Sequence, residues 1–300
     1  MSTPRPFRFG VVASQLRSAD DWAARARRAE ALGYATFVLP DTVGMTPAPL
    51  PALAVAAAAT RTLRVGPYVL ANDYRHPVLL ARECATLDLL SDGRFELGLG
   101  AGRPNAAADY AKLGLALDPG GVRVDRLAES LAILKALLSG ESVTAAGRHY
   151  TVTDADVFPR PVQQPRPPIL VAASGRRLLA LAAREADIIA LAGRPDESEA
   201  ALREKVDWVR QAAGDRFEQL ELNINLMAVG QEVHPQALAF VGLTREQLMQ
   251  SGSPYILMGT PDQMCDQLLA RRERLGVSYL LVAEAFLETF APVVERLAGR

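Results

Sequence analysis

Two cysteines in 300 residues, Cys84 and Cys265, are too few and too far apart for a disulfide framework, and each lies inside a helical pattern. Buried structural thiols are the expected outcome. Histidine is nearly as scarce: His76, His149 and His234 form no His-x-x-x-His, Ser-His-Asp or Cys-His grouping, which argues against zinc hydrolysis and nucleophilic catalysis. No metal is expected. Charge of one sign is missing too, since 33 Lys and Arg are dispersed among 34 Asp and Glu for a net charge of -1. That excludes the basic face of a nucleic-acid binder. Long apolar runs are absent: the longest, around Ala52 to Ala59, is far short of a bilayer span, and Met1 to Pro6 lacks the apolar segment of a secretion signal. A soluble, cytoplasmic protein with no nucleic-acid or membrane partner is expected, and its chemistry must come largely from a bound cofactor.

What is present is alternation. Phe7 to Ala13 reads as a strand, and Ser18 to Asp21 caps a helix in which Trp22, Ala26, Ala29 and Leu32 share a face opposite Arg25 and Arg28 until Gly33 stops it. Strand Thr36 to Pro40, an alanine-rich helix from about Pro51 to Ala59, strand Leu63 to Leu70, a helix opened by Pro77 and ending near Asp92-Gly93, and strand Phe95 to Leu99 follow. The spacing of Leu127, Leu131, Leu134 and Leu138 predicts a helix from Arg123 to Ser139, stopped by Gly140. Residues 141 to 168 read as a hairpin and a proline-rich loop. The series resumes with strand Ile169 to Ala173, helix Arg176 to Glu185, strand Asp187 to Leu191, helix Glu197 to Ala213 and strand Leu220 to Val229. A capping box, Thr260 to Gln263, opens a helix closed by Gly276, and strand Val277 to Val282 and helix Phe286 to Leu297 complete the chain.

About eight β/α units predict one domain over residues 1–300, a single (β/α)8 TIM barrel with insertion loops. The run Phe158 to Pro168 could be an inter-domain linker, but it feeds directly into a buried-type strand and is expected to be an ordered loop. In such barrels the ligand site lies at the carboxyl ends of the strands, so the residues after each strand are the ones to weigh.

The most informative of these lie between Arg94 and Arg103, where a strand-like alternation runs into Gly98, Gly100 and Gly102. Side chains there would obstruct something, so backbone is expected to approach a ligand closely. A dinucleotide fingerprint is disfavoured, because Arg103-Pro104-Asn105 interrupts the run where a helix would have to begin. Later, Ala172-Ala173-Ser174-Gly175 leads into the helix opening with Arg176, which puts amides and a hydroxyl at a helix N-terminus suited to an anion. Leu191-Ala192-Gly193-Arg194 ends the next strand, and Arg176, Arg177 and Arg194 would rim a phosphate pocket; otherwise these are ordinary turns with solvated arginines. Asp41 and Thr42 read equally as a capped turn and as site residues. His76, beside Pro77, reads as a helix-start residue, while His149 and His234 fall away from the active face.

Four segments, Ala31 to Phe37, Arg75 to Arg82, Leu87 to Gly102 and Gly259 to Asp262, together resemble the luciferase-like (bacterial luciferase) monooxygenase superfamily, and more closely its deazaflavin (coenzyme F420)-dependent oxidoreductases. The resemblance implies a non-proline cis peptide at Tyr68-Val69 backing the deazaflavin ring, with Gly100, Ala101 and Gly102 near the ring. It implies a phosphate near Ser174, Gly175 and Gly193, in the pocket to which the loop reading also assigns Arg176 and Ala192. Related sugar-phosphate dehydrogenases have a histidine after the aspartate of strand two and a glutamate after the glycines, where this chain has Thr42 and Arg103. Sugar-phosphate oxidation with that acid and base is therefore not expected, and Asp41 and Arg103 become the candidates for proton and substrate handling. The implied activity is hydride transfer between F420 and a small organic substrate, with a reductase as redox supplier. The alternatives are an FMN-dependent monooxygenase fed with FMNH2 by a partner reductase, and a non-catalytic flavin-binding barrel. Three arginines at the pocket mouth favour the longer anionic cofactor. A homodimer is also implied, which the apolar face Phe286, Phe290, Val293 and Leu297 neither proves nor opposes. The substrate is left to the loops at 103–122 and 230–258.

Overall fold

The computed structural model describes residues 4–103, 105–234, 238 and 242–300, so residues 235–237 and 239–241 of the 230–258 loop, with residue 104 of the 103–122 loop, lie outside the described residues. Eight strand positions alternate with helices: Arg8–Val12, Thr36–Leu39, Arg64–Pro67 continued by Leu70–Ala71, Leu97–Gly100, Ile169–Ala173, Ile188–Leu191, Glu221–Leu226 and Val277–Ala283. Thr36–Leu39, Leu97–Gly100 and Ile188–Leu191 are buried at every position, as strands covered on both faces are. The registered pairings among these strands are parallel. Hydrogen bonding orders the sheet from Arg64–Pro67 at one end to Leu70–Ala71 at the other, so both ends belong to one interrupted strand. This is the (β/α)8 TIM-barrel pattern.

Contact density divides the chain into two compact units, with boundaries inside strands Thr36–Leu39 and Ile169–Ala173 and not in the proline-rich loop. The first comprises residues 1–13, 28–37 and 172–300. Its capping box at Thr260 and Gln263 starts helix Pro261–Leu275, and Gly276, at φ 72°, ends it in the left-handed region. Phe290 packs edge-on against Phe9 at 5.4 Å between ring centroids. With Phe286, Val293 and Leu297 it is buried within the chain, so the apolar face of helix Leu287–Leu297 is core and not an available partner surface.

The second unit comprises residues 14–27 and 38–171. Helix Gly120–Leu138 begins three residues before the expected Arg123 and buries Leu127, Leu131, Leu134 and Leu138 completely. The expected strand Leu63 to Leu70 is split, because the chain turns at Tyr68-Val69 and pairing resumes only at Leu70. The proline-rich loop is tied down by buried Asp88, which accepts from Val162 N (2.7 Å), Gln163 N (3.0 Å) and Gln163 Nε2 (2.6 Å). Arg64 donates to the Gln163 side chain at 2.7 Å from the other side. Both cysteines are free and buried, and burial pushes the Cys84 thiol up. Among the described residues no helix is long and apolar enough to cross a membrane, and no cluster of His, Cys, Asp and Glu could hold a metal ion.

Candidate active site

At the strand ends of the second unit, the turn after Thr36–Leu39 separates the two readings of Asp41 and Thr42. Thr46 Oγ1 accepts from Thr42 N at 3.0 Å and donates to Pro40 O at 2.9 Å, so it closes the turn. Asp41 is released to reach the next strand, where Oδ2 accepts from Ala71 N (3.3 Å) and Arg75 Nη1 (2.6 Å) and Oδ1 from Arg75 Nη2 (3.4 Å). Its side chain is only 8% exposed, so the fork of Arg75 fixes a buried carboxylate. Sequence reasoning does not single out Arg75 as this partner, although it lies in the segment between strand Leu70–Ala71 and the next helix, where site residues are sought.

The Tyr68-Val69 peptide bond is cis, as the resemblance implies, and Tyr68 N donates to Leu39 O at 2.8 Å. Burial pushes the Tyr68 phenol up, which keeps it neutral. On the neighbouring strand Ala71 pairs with Gly100. A Cβ on Gly98 would stand 2.1 Å from Pro67 O, so this glycine admits a neighbouring strand and not a ligand. Gly102 has φ 78°, and a Cβ there would meet the Tyr110 hydroxyl at 2.6 Å. Arg103 is 56% exposed at its side chain and donates to Asp109 at 3.1 Å, so this candidate is already engaged by a carboxylate.

A cleft of about 490 Å³ opens beside these residues, lined among others by Tyr74, Arg75, Tyr110, Arg126 and His149. At its wall Asp73, 4% exposed at its side chain, accepts from Arg126 at 2.7 Å and from the Tyr110 hydroxyl at 2.9 Å. Burial, and after it the carboxylates of Asp109 and Asp41, push the Tyr74 phenol up. His149 belongs to this cleft, contrary to the sequence-based expectation. Glu129 accepts from the backbone amides of Arg148, His149 and Tyr150 at 3.1, 2.8 and 3.1 Å, folding the hairpin back along helix Gly120–Leu138. His76 takes the helix-start role expected of it, accepting from Val78 N at 3.3 Å.

In the first unit, exposed Ser174 and Gly175 precede helix Arg176–Glu185, whose N-cap Gly175 offers no side-chain cap. Nothing stands within 4 Å of a Cβ built on Gly175, so the turn is open. Ala192 N donates to Ala173 O at 2.9 Å, which brings the two small-residue loops side by side. Gly193 is required for another reason, since a Cβ there would lie 2.2 Å from the Tyr255 hydroxyl, which donates to Leu191 O at 3.0 Å. The expected basic rim is only partly formed: Arg194 pairs with Asp196 at 3.0 Å, and Arg176 donates to Gln211 at 3.4 Å. The cation that organises this loop is Lys205, whose Nζ donates to Ala192 O (2.8 Å) and Glu197 (2.6 Å). Its signal in the sequence was a lysine among Leu202, Val206 and Val209 on a buried helix face.

A family model described as luciferase-like monooxygenase matches residues 5–255. The F420-dependent glucose-6-phosphate dehydrogenase of Beutenbergia cavernae is 40% identical over 147 residues, 49% of this chain and 42% of that protein. That of Nakamurella multipartita is 33% identical over 234 residues, 73% of this chain and 66% of that protein. The chain thus spans between 42% and 66% of the length of these two relatives. Among solved structures, the F420-dependent tetrahydromethanopterin reductase of Methanopyrus kandleri is similar with TM-score 0.78 and 18% identity, covering 97% of this chain and 99% of that one. A long-chain alkane monooxygenase is similar with TM-score 0.79 and 17% identity, covering 98% and 92%. At such identities the likeness is one of fold.

Proposed function

Since this chain belongs to the luciferase-like monooxygenase family, we propose that it is an oxidoreductase that exchanges hydride between coenzyme F420 and a small organic substrate. The observation that carries this reading is its similarity over 73% of the chain to an F420-dependent dehydrogenase. Two features of the structure fit such a cofactor, each within its own unit: the open N-cap turn at Gly175, able to receive a phosphate, and the positive-φ turn at Gly102 that follows strand Leu97–Gly100. When bound, the deazaflavin supplies two-electron hydride chemistry, because a carbon stands where a flavin has N5. Within the first unit Ser174, Gly175, Arg176, Ala192 and Gly193 would hold its phosphate; within the second, Tyr68, Val69, Gly100, Ala101 and Gly102 would shape the ring site. Asp41, positioned by Arg75, accepts or returns a proton at its carboxylate, and Arg103 contacts substrate only by exchanging its bond to Asp109.

The second reading is FMN-dependent monooxygenation, supported by the matching family model, which is described as luciferase-like monooxygenase. Titrating the pure protein with each cofactor decides between them. Tighter binding of F420 is expected, with the excess shrinking as salt rises, because the added carboxylates of the longer cofactor would draw on exposed cations such as Arg176. Equal affinities, or an FMN preference with oxygen-dependent turnover, would replace the first reading with the second. Tight binding without turnover of any hydride donor would leave the non-catalytic reading. We also propose a homodimer, held through a surface other than the buried face of helix Leu287–Leu297. Sedimentation at micromolar concentration is expected to give twice the 32.3 kDa chain mass, and a monomer there removes the proposal.

A further inference from the structure

The Arg123 guanidinium is buried, 7% exposed, yet among the described residues no carboxylate pairs with it. Its Nη1 donates to Ala101 O at 2.6 Å and Gly102 O at 2.7 Å, and its Nε donates to Asp118 O at 3.0 Å. The Asp118 carboxylate is turned to Arg126 instead. These bonds fix two consecutive peptide groups. Neither is cis, so the N–H of each lies opposite its C=O. With both carbonyls drawn to Arg123, the amides of Gly102 and Arg103 point away from it, and neither finds an acceptor among the described residues. Gly102 is half-buried and Arg103 exposed. Two adjacent amides turned away from a cation that no carboxylate pairs with make a site for an oxygen on which negative charge develops.

We propose that the Gly102 and Arg103 amides form an oxyanion site, polarised by Arg123 as a positioning residue, for the carbonyl edge of the deazaflavin ring. This rests on the F420 reading above. Hydride loss from a substrate C–H bond, with the substrate's proton passing to Asp41, would leave the bound ring one negative charge richer than before transfer, and the two amides would favour that state. Arg123 therefore discriminates between redox states and not merely between bound and free cofactor. No catalytic contact by Arg123 itself is implied, because its Nη1 and Nε are engaged by carbonyl oxygens.

The test is equilibrium binding of oxidised and of reduced F420, without substrate, to the wild type, Arg123→Gln and Arg123→Lys, with thermal melting as a check of folding. Arg123→Gln is expected to weaken the reduced form at least tenfold more than the oxidised form. Arg123→Lys, which keeps the charge, should hold the ratio of the two affinities within about threefold of wild type. Equal losses for both redox states in Arg123→Gln would make Arg123 a structural brace and overturn the proposal. Should Arg123→Gln fail to fold, a folded Arg123→Lys variant decides: a retained ratio supports the proposal, and a lost ratio overturns it. Wild-type protein that binds neither form removes the F420 reading and this inference with it, an outcome distinct from binding without redox discrimination.

Discussion

Gly175→Asp is expected to lower affinity for a phosphate-bearing cofactor at least tenfold while leaving the protein folded. Gly175 is the N-cap of helix Arg176–Glu185 with φ -84° and ψ 148°, an extended conformation that any residue adopts. A Cβ there meets no heavy atom within 4 Å, so the substitution brings no clash. Aspartate is moreover a better N-cap than glycine by a few tenths of a kcal/mol, so stability should stay level or rise. The same chemistry damages binding, because the new carboxylate accepts from the first-turn amides that would otherwise meet the phosphate, and it repels the incoming anion. Losing one charge-assisted hydrogen bond costs roughly 1.5 to 3 kcal/mol, and about 1.4 kcal/mol is tenfold in affinity. Fluorescence titration of F420 against wild type, Gly175→Ala and Gly175→Asp reads the effect, with the alanine variant expected near wild type. A folded aspartate variant that binds as tightly as wild type would show that the phosphate sits elsewhere, and the roles given to Ser174, Arg176, Ala192 and Gly193 would fall with it.

The barrel was legible because its signals are local. Caps, glycine stops and buried apolar runs lie within a few residues of the elements they define, as at Thr260–Gln263 and at the leucine stripe of helix Gly120–Leu138. The contacts that build the candidate site are not local. Arg75 meets Asp41 across 34 positions and Arg123 meets Ala101 across 22, and no periodicity announces which carbonyl or carboxylate a long side chain will find. At the phosphate loop the competing contact is local but equally silent: Arg194 pairs with Asp196 two residues on, a competition that counting positive charges does not register. The interruption of the third strand at Tyr68-Val69 entered through resemblance, although Gly66 and Pro67, which strand interiors disfavour, stand directly before it.

Gly98→Ala is expected to destabilise the protein by about 3 kcal/mol or more, or to prevent its accumulation in soluble form. The sequence suggested that the glycines after Phe95 clear space for a ligand, and for Gly98 that is incorrect. Its missing side chain is occupied by backbone: an added Cβ would stand 2.1 Å from Pro67 O and 3.1 Å from Val69 Cγ1. Neither strand can yield easily. Gly98 is registered with Leu170 in the parallel ladder to Ile169–Ala173, and the next pairs, Leu70 with Leu99 and Ala71 with Gly100, hold the other edge. A methyl group must therefore break ladder hydrogen bonds or push Pro67 outward, unlike an overpacked core where side chains change rotamer. Urea unfolding of Gly98→Ala beside Gly175→Ala measures the contrast, with the latter expected within about 0.5 kcal/mol of wild type. If the Gly98 variant unfolds at the wild-type midpoint, the close approach of these strands is not required. If a partly folded variant survives, cofactor affinity should fall further than stability alone explains. Pro67 directly precedes Tyr68 and Val69, and Gly98 stands two residues before Gly100, all assigned to the proposed ring site, so moving these strands apart displaces both sets together.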